Sequence, residues 1–309
     1  MNFPDKGKLL DTIKGSMATL ALSLAFIALP PVGIFAPLPG MYYALKSGKS
    51  IGIAVVLITS AILAIIADPL LLLIYLAQSG LISLTVPYFL GKGWGGGRTI
   101  AFSVVVVFAF LLLVAAFFWL VQGIDPHAAV VKEISSWIPQ MTAFYEKVGY
   151  KGEELQTLQR IAKDYIALIA RIYPAIVLIG IGATAGLNLL ALRRLAAGLG
   201  QALPVGDLKK FRNPDHLIWF AIAAGFALLI TNSLVSTAAL NLLVVTLSLY
   251  FLQGLAIILH FFDRFAVSRF FRAIFYVMLA LQPYLAFAAA LLGVFDLWGN
   301  FRTPKQQNL

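Results

Sequence analysis

Nine polar side chains sit inside otherwise apolar stretches of this chain: Gln78, Ser79, Asn188, Asn232, Ser233, Asn241, Gln253, His260 and Gln282. In hydrocarbon each needs a partner within the protein or a water-filled cavity. Gln78, Asn188, Asn232, Gln253, His260 and Gln282 are therefore candidates to line a cavity for a polar solute. The competing use of such groups is interhelical hydrogen bonding, worth about 1 kcal/mol each, and for any single one that use is the commoner. Catalysis would ask for a convergent nucleophile, base or metal set. The sequence offers no Ser–His–Asp candidate, no HExxH and no carboxylate cluster within its apolar segments. Asp68, Arg171 and Asp263 fall near segment ends, where headgroups or water solvate them. Without Cys there is no disulfide, thiolate nucleophile, iron–sulfur cluster or Cys-ligated zinc, and His127, His216 and His260 are too dispersed for a metal motif. The expectation is a protein that is not an enzyme, with no catalytic, cofactor-binding or metal-ligating residue.

The elements that position these groups are long and apolar. Of 309 residues 61% are hydrophobic and 12% charged, more apolar surface than one soluble core can hide, so lipid must cover much of it. About nine apolar segments follow one another: Thr12–Leu29, Val32–Leu45, Ile51–Ala67, Leu70–Leu90, Ile100–Val121, Ile166–Leu192, Leu217–Val235, Leu240–Phe262 and Ala273–Leu297. Most approach the length that crosses about 30 Å of hydrocarbon. Pro30-Pro31 ends the first, and Pro37, Pro39 and Gly40 mark the short second as broken or re-entrant. The charged start, Met1 to Lys14, has no small-residue cleavage site before the apolar stretch and reads as a retained first span. The expected fold is an all-α polytopic bundle of about eight or nine membrane segments, divided as 1–121, an insertion at 122–165, 166–297, and a polar tail at 298–309.

Charge sets the orientation. The net charge of +10 resides in short loops: Lys46 and Lys49; Lys92 and Arg98; Arg193, Arg194, Lys209, Lys210 and Arg212; Arg264, Arg269 and Arg272. All four face the cytoplasm if the segments alternate, which places the N-terminus inside too and implies lipid rather than nucleic acid as the partner. All four Glu residues fall between Gln122 and Asp164, so that insertion lies outside. Its stretches 128–137 and 152–165 carry apolar residues at helical spacing, for example Leu155, Leu158, Ile161 and Tyr165, and predict amphipathic helices on the membrane or the bundle. The Gly91–Arg98 run lacks the spacing of a phosphate loop and reads as a turn between helices. Small residues at Ala21 and Ala25, and at Gly182 and Gly186, let helix backbones approach; Ala21 and Ala25 form a candidate partner-docking face.

Several short motifs carry a resemblance: Pro174, Gly186-Leu187-Asn188, Arg193-Arg194, Leu203-Pro204, Phe211, Pro214, Trp219, Gln253-Gly254-Leu255, Gln282-Pro283, Gly293 to Trp298, and Phe301-Arg302. Together they look like the YybS-like bacterial family of predicted membrane proteins, over nearly the whole chain. The N-terminal two thirds also resembles the S-component of energy-coupling-factor vitamin transporters, a six-helix family in which an AxxxA motif on the first helix docks a coupling subunit. Ala21 and Ala25 match that motif here, and Pro37-Leu38 through Ala44-Leu45-Lys46-Ser47-Gly48 matches a turn often found there. The insertion and three further C-terminal segments depart from the six-helix pattern.

Two functions follow as expectations for a bacterial inner-membrane protein. One is a substrate-binding or transport component for a small solute, whose ATPase, absent here, would come from another chain. The other is a membrane scaffold resembling the cell-shape protein MreD, which binds envelope proteins. Transport calls for a cavity holding intramembrane polar residues; scaffolding calls for a filled bundle and an exposed apolar patch on the insertion.

Overall fold

A computed structural model describes residues 6–302, apart from the side chains of residues 26–28 and 30, and no strand occurs among the described residues. In chain order the helices are α1 (Lys6–Ala28), α2 (Pro30–Gly33), α3 (Pro37–Ser47), α4 (Lys49–Ile66), α5 (Pro69–Tyr75), α6 (Leu81–Leu90), α7 (Gly96–Gln122), α8 (Pro126–Ser135), α9 (Trp137–Val148), α10 (Gly152–Gly198), α11 (Leu217–Ala227), α12 (Ser233–Arg264), α13 (Arg269–Leu281) and α14 (Pro283–Gly299). A π-helical turn, Leu76–Gly80, joins α5 to α6 so that Pro69–Leu90 runs as one span. The protein is an all-α helical membrane bundle.

Among the described residues five helices are long and apolar enough to cross a membrane, or six if the bent pair α13 and α14 counts as one. That is fewer than the nine apolar segments: α1 is not among them, its first turns carrying Lys6, Lys8, Asp11 and Lys14, and local chemistry explains the other differences. After Pro30-Pro31 only eleven residues remain for α3. The segment expected over Leu217–Val235 stops at Ala227, because Asn232 starts a new helix by accepting from the N–H groups of Leu234 and Val235. The last segment bends by 104° between α13 and α14. Pro283 has no N–H for the ladder, and the residue before it, Gln282, is driven to extended backbone at φ −115° and ψ 100°. Conversely, the amphipathic stretch at 152–165 is no separate helix. No Pro or Gly divides Tyr165 from Ile166, so α10 runs for 47 residues, roughly 70 Å and about twice one span.

The chain forms two compact units. One takes the chain to Pro126 and again from Gly180 to Gly206; the other takes His127 to Ile179 and Asp207 onward. The first unit packs Met41 of α3, Ile82 and Val86 of α6, Val107 of α7 and Leu189 and Leu192 of α10 into one core. Its α7 exposes Val105, Leu112, Leu113, Phe117, Leu120 and Val121, an apolar face suited to lipid. On the rim Asp11 accepts from Lys46 Nζ at 2.8 Å and from Ser47 Oγ, and these bonds hold its carboxyl below the usual range. Their stabilisation is present above the ordinary carboxylate pKa and is lost as pH falls through the lowered one.

In the second unit α12 and α14 cross backbone to backbone. A Cβ on Gly254 would overlap the Ala289 carbonyl oxygen, and one on Gly293 would overlap that of Tyr250. Replacing Gly254 with Ala must force the helices apart, and should cost about 2 kcal/mol or more, read as a lower melting midpoint of the solubilised protein. Gly225→Ala in α11, where nothing lies within 4 Å, should leave the midpoint unchanged or raise it.

Candidate functional site

In the first unit Asn188 is already engaged by the backbone, whereas Gln78 lines a small cavity. Asn188 is fully buried and its Nδ2 donates to the Ile34 carbonyl at 2.7 Å and to that of Thr184 at 2.8 Å. Ile34 lies in the turn that follows Pro30-Pro31, so the asparagine satisfies a carbonyl that the broken helix leaves over. Gln78 lies on the π-helical turn and, with Ser23, Tyr75 and Ser79, lines a cavity of about 20 Å³, room for a single water. Ala21 is exposed on α1 and Ala25 half-buried. The Gly91–Arg98 run is a turn from α6 to α7, closed by Trp94 stacking on Phe89 at 4.9 Å.

Asparagine mends a break in the second unit as well. Pro174 interrupts the α10 ladder, and beside it Asn241 of α12 bridges the N–H of Ala175 (2.9 Å to Oδ1) and the carbonyl of Arg171 (2.7 Å from Nδ2). A regular helix would pair those two groups with each other. Asn232 caps α12, and Gln282 lies exposed at the α13–α14 bend. His127 of α8 shares a 3.1 Å hydrogen bond with the Tyr173 hydroxyl of α10, tying the insertion to the long helix.

Gln253 and His260, one on each side of Ile257 along α12, lead to the largest polar cluster of this unit. Gln253 is fully buried; its Oε1 accepts from the N–H of Asn213 at 2.9 Å and its Nε2 donates to Asp296 Oδ2 at 3.0 Å. Asp296 of α14 is 1% exposed and also accepts from Arg302 Nη2 at 2.7 Å and from the Phe301 N–H at 3.0 Å. Arg302 Nη1 donates in turn to the carbonyls of Lys209 (3.1 Å) and Phe211 (2.8 Å). This network clamps the 207–213 loop onto the end of α14. Around it lies a cavity of about 390 Å³ lined by Asp207, Lys209, Lys210, Arg212, His260, Asp296, Asn300 and Arg302. Lys209 pairs with Asp263, whose hydrogen bond and charge hold the lysine pKa above its usual value, so it stays cationic. Arg212 bonds to Asn300 Oδ1 at 3.0 Å and to Asp215 at 3.1 Å.

Sequence reasoning singled out Gln253 and His260 but not Asp296 or Arg302 as site residues. The signal available was a lone acid within the last apolar segment, followed six residues later by an arginine. Among the described residues no group of three His, Asp or Glu side chains is placed to hold a metal ion.

Long apolar helices, lipid-suited outer faces and interior amides spent on backbone groups define a polytopic helical membrane protein. The chain belongs to the predicted membrane protein family DUF2232, whose family model matches residues 17–297. Neither the curated proteins nor the solved structures contain a significant match.

Two substitutions probe the network. Arg302→Leu leaves the buried Asp296 carboxylate without its charge partner and should cost roughly 3–5 kcal/mol in unfolding measurements, while Asp296→Asn should cost less. Asn241→Leu strands an N–H and a carbonyl beside Pro174 and should cost about 1–3 kcal/mol by the same measurement.

Proposed function

We propose that this protein is a non-enzymatic component of a bacterial inner membrane, with its N-terminus and basic loops in the cytoplasm, that binds a small solute for transport. One observation carries the reading: the first unit gathers six helical segments, namely α1, α3, α4, the Pro69–Leu90 span, α7 and residues 180–198 of α10, the number that the S-component resemblance implies. The exposed Ala21 and half-buried Ala25 on α1 stand where that family docks its coupling subunit. Ser23, Gln78 and Ser79 line a small cavity beside a π-helical turn, a distortion frequent at functional sites. No nucleotide-binding motif occurs in the sequence, so energy would come from an ATPase partner.

A second reading is favoured by a different observation. Trp137, Met141, Phe144 and Val148 are all exposed on α9 at spacings of four, three and four, one continuous apolar stripe on the insertion. In an MreD-like scaffold that stripe binds another envelope protein.

Mild-detergent purification with mass spectrometry of accompanying proteins separates the two. Transport predicts a coupling subunit with ABC-type ATPases, lost in the Ala21→Leu, Ala25→Leu double variant. Envelope-assembly proteins without an ATPase, retained in that variant and lost in Phe144→Glu, would replace this reading by the scaffold.

A further inference from the structure

We propose that the cavity bounded by the 207–213 loop and the end of α14 is an anion site that takes a phosphate group. It is separate from the first-unit features on which the transport reading rests.

Charge is the first argument. Lys209, Lys210, Arg212 and Arg302 line the cavity with Asp207 and Asp296; Asp263, Asp215 and Asp296 pair with Lys209, Arg212 and Arg302, which leaves Lys210 as the lining cation with no ion pair among the described residues. Asp296 is not free to act as a cation ligand, and Asp207 is committed in part to the loop's own backbone. Asp296 is buried with both oxygens occupied, and Asp207 Oδ1 accepts from the Lys209 N–H at 3.1 Å as the cap of a short helical turn.

Donors without acceptors are the second argument. The Lys210 ammonium makes no hydrogen bond or ion pair with any described residue, although its backbone N–H donates to the Asp207 carbonyl. Arg302 spends three of its five N–H groups on Asp296 and the two loop carbonyls, which leaves two. His260 has no hydrogen-bond partner among the described residues, its ring meeting only Phe261 edge-on. A phosphate offers several strong acceptor oxygens to such a set, and bonds between ionised partners are the strong ones. Rigidity is the third. The Arg302 clamp and the Asn213–Gln253 bond fix the loop before any ligand arrives, so little ordering is lost on binding. The volume of about 390 Å³ admits a phosphate with a small organic group attached. That group could belong to a soluble phosphate ester or to a phospholipid headgroup.

The test uses full-length protein in a neutral detergent, with inorganic phosphate, glycerol 3-phosphate and short-chain phosphatidylglycerol titrated calorimetrically and glycerol as the uncharged control. Lys210→Gln removes no described contact, and an unchanged melting midpoint verifies its fold. The expected result is saturable binding of a phosphate-bearing probe, none of glycerol, a loss of ~10-fold or more in Lys210→Gln, and recovery in Lys210→Arg. Tighter binding of glycerol 3-phosphate than of phosphatidylglycerol identifies a soluble ester; the reverse order identifies a headgroup. Absence of saturable binding for all three probes, or binding that Lys210→Gln leaves unchanged, overturns the proposal. Neither outcome bears on the coupling-subunit experiment, which reads Ala21 and Ala25.

Discussion

Hydrocarbon supplies no hydrogen bonds, so every backbone group freed by a break in a membrane helix must find a partner inside the protein. This chain breaks its helices at Pro30-Pro31 and Pro283 and loses ladder bonds at Pro174 within the continuous α10, and intramembrane amides answer the first and the last of these. Asn188 answers the turn after Pro30-Pro31, and Asn241 bridges the ladder beside Pro174. Gln253 reaches out of α12 to the N–H of Asn213 in the connecting loop. Asn241 uses both its donor and its acceptor on the severed pair, whereas Asn188 spends its Nδ2 on two carbonyls. Of the polar residues that first suggest a solute path, Asn188, Asn232 and Gln253 are thus employed in holding irregular backbone in place.

The second unit extends the same logic to charge. Close contact at Gly254 and Gly293 brings α12 against α14 and sets Gln253 beside Asp296. A buried carboxylate is costly unless paired and fully hydrogen-bonded, and Arg302, Gln253 and the Phe301 N–H meet that demand together. Because Arg302 also binds two loop carbonyls, one side chain links the helix end, the buried acid and the basic loop. Arg272 does similar service nearby, donating to Asp263 and to the carbonyls of Phe262 and Val267 where α12 ends. Helix C-termini favour cations, so the loop's positive charge also suits the ends it covers.

Much of the fold was legible in the residues. The spans now seen as α4, Pro69–Leu90 and α7 lie within a few residues of their apolar runs, because length and hydropathy alone decide a lipid-exposed helix. The break at Pro30-Pro31 was legible for the same local reason, a missing donor. The continuity of α10 was not: a change from amphipathic to fully apolar pattern at Tyr165 marks a change of surroundings, and the backbone needs no break there. Nor was the role of Asn232, since an amide between apolar runs reads alike as a cavity group or as a helix cap until the N–H groups behind it are located. Gln253 lies 43 positions before Asp296 and on a different helix, and only tertiary packing brings it to the Asp296–Arg302 pair. The motifs that carried the family resemblance nevertheless contain all three, together with Asn188 and both crossing glycines.

The account depends on which side of the membrane holds the basic loops, because the docking helix, the anion cavity and the insertion are all assigned from it. The native chain has no cysteine, so single cysteines report without background. Glu146→Cys in the insertion and Arg194→Cys in a basic loop, treated in intact cells with a membrane-impermeant maleimide, give the most direct reading. Labelling at 146 alone, with 194 reacting only after the membrane is opened, is the predicted result. Labelling at 194 in intact cells, or equal protection of both positions, would contradict it.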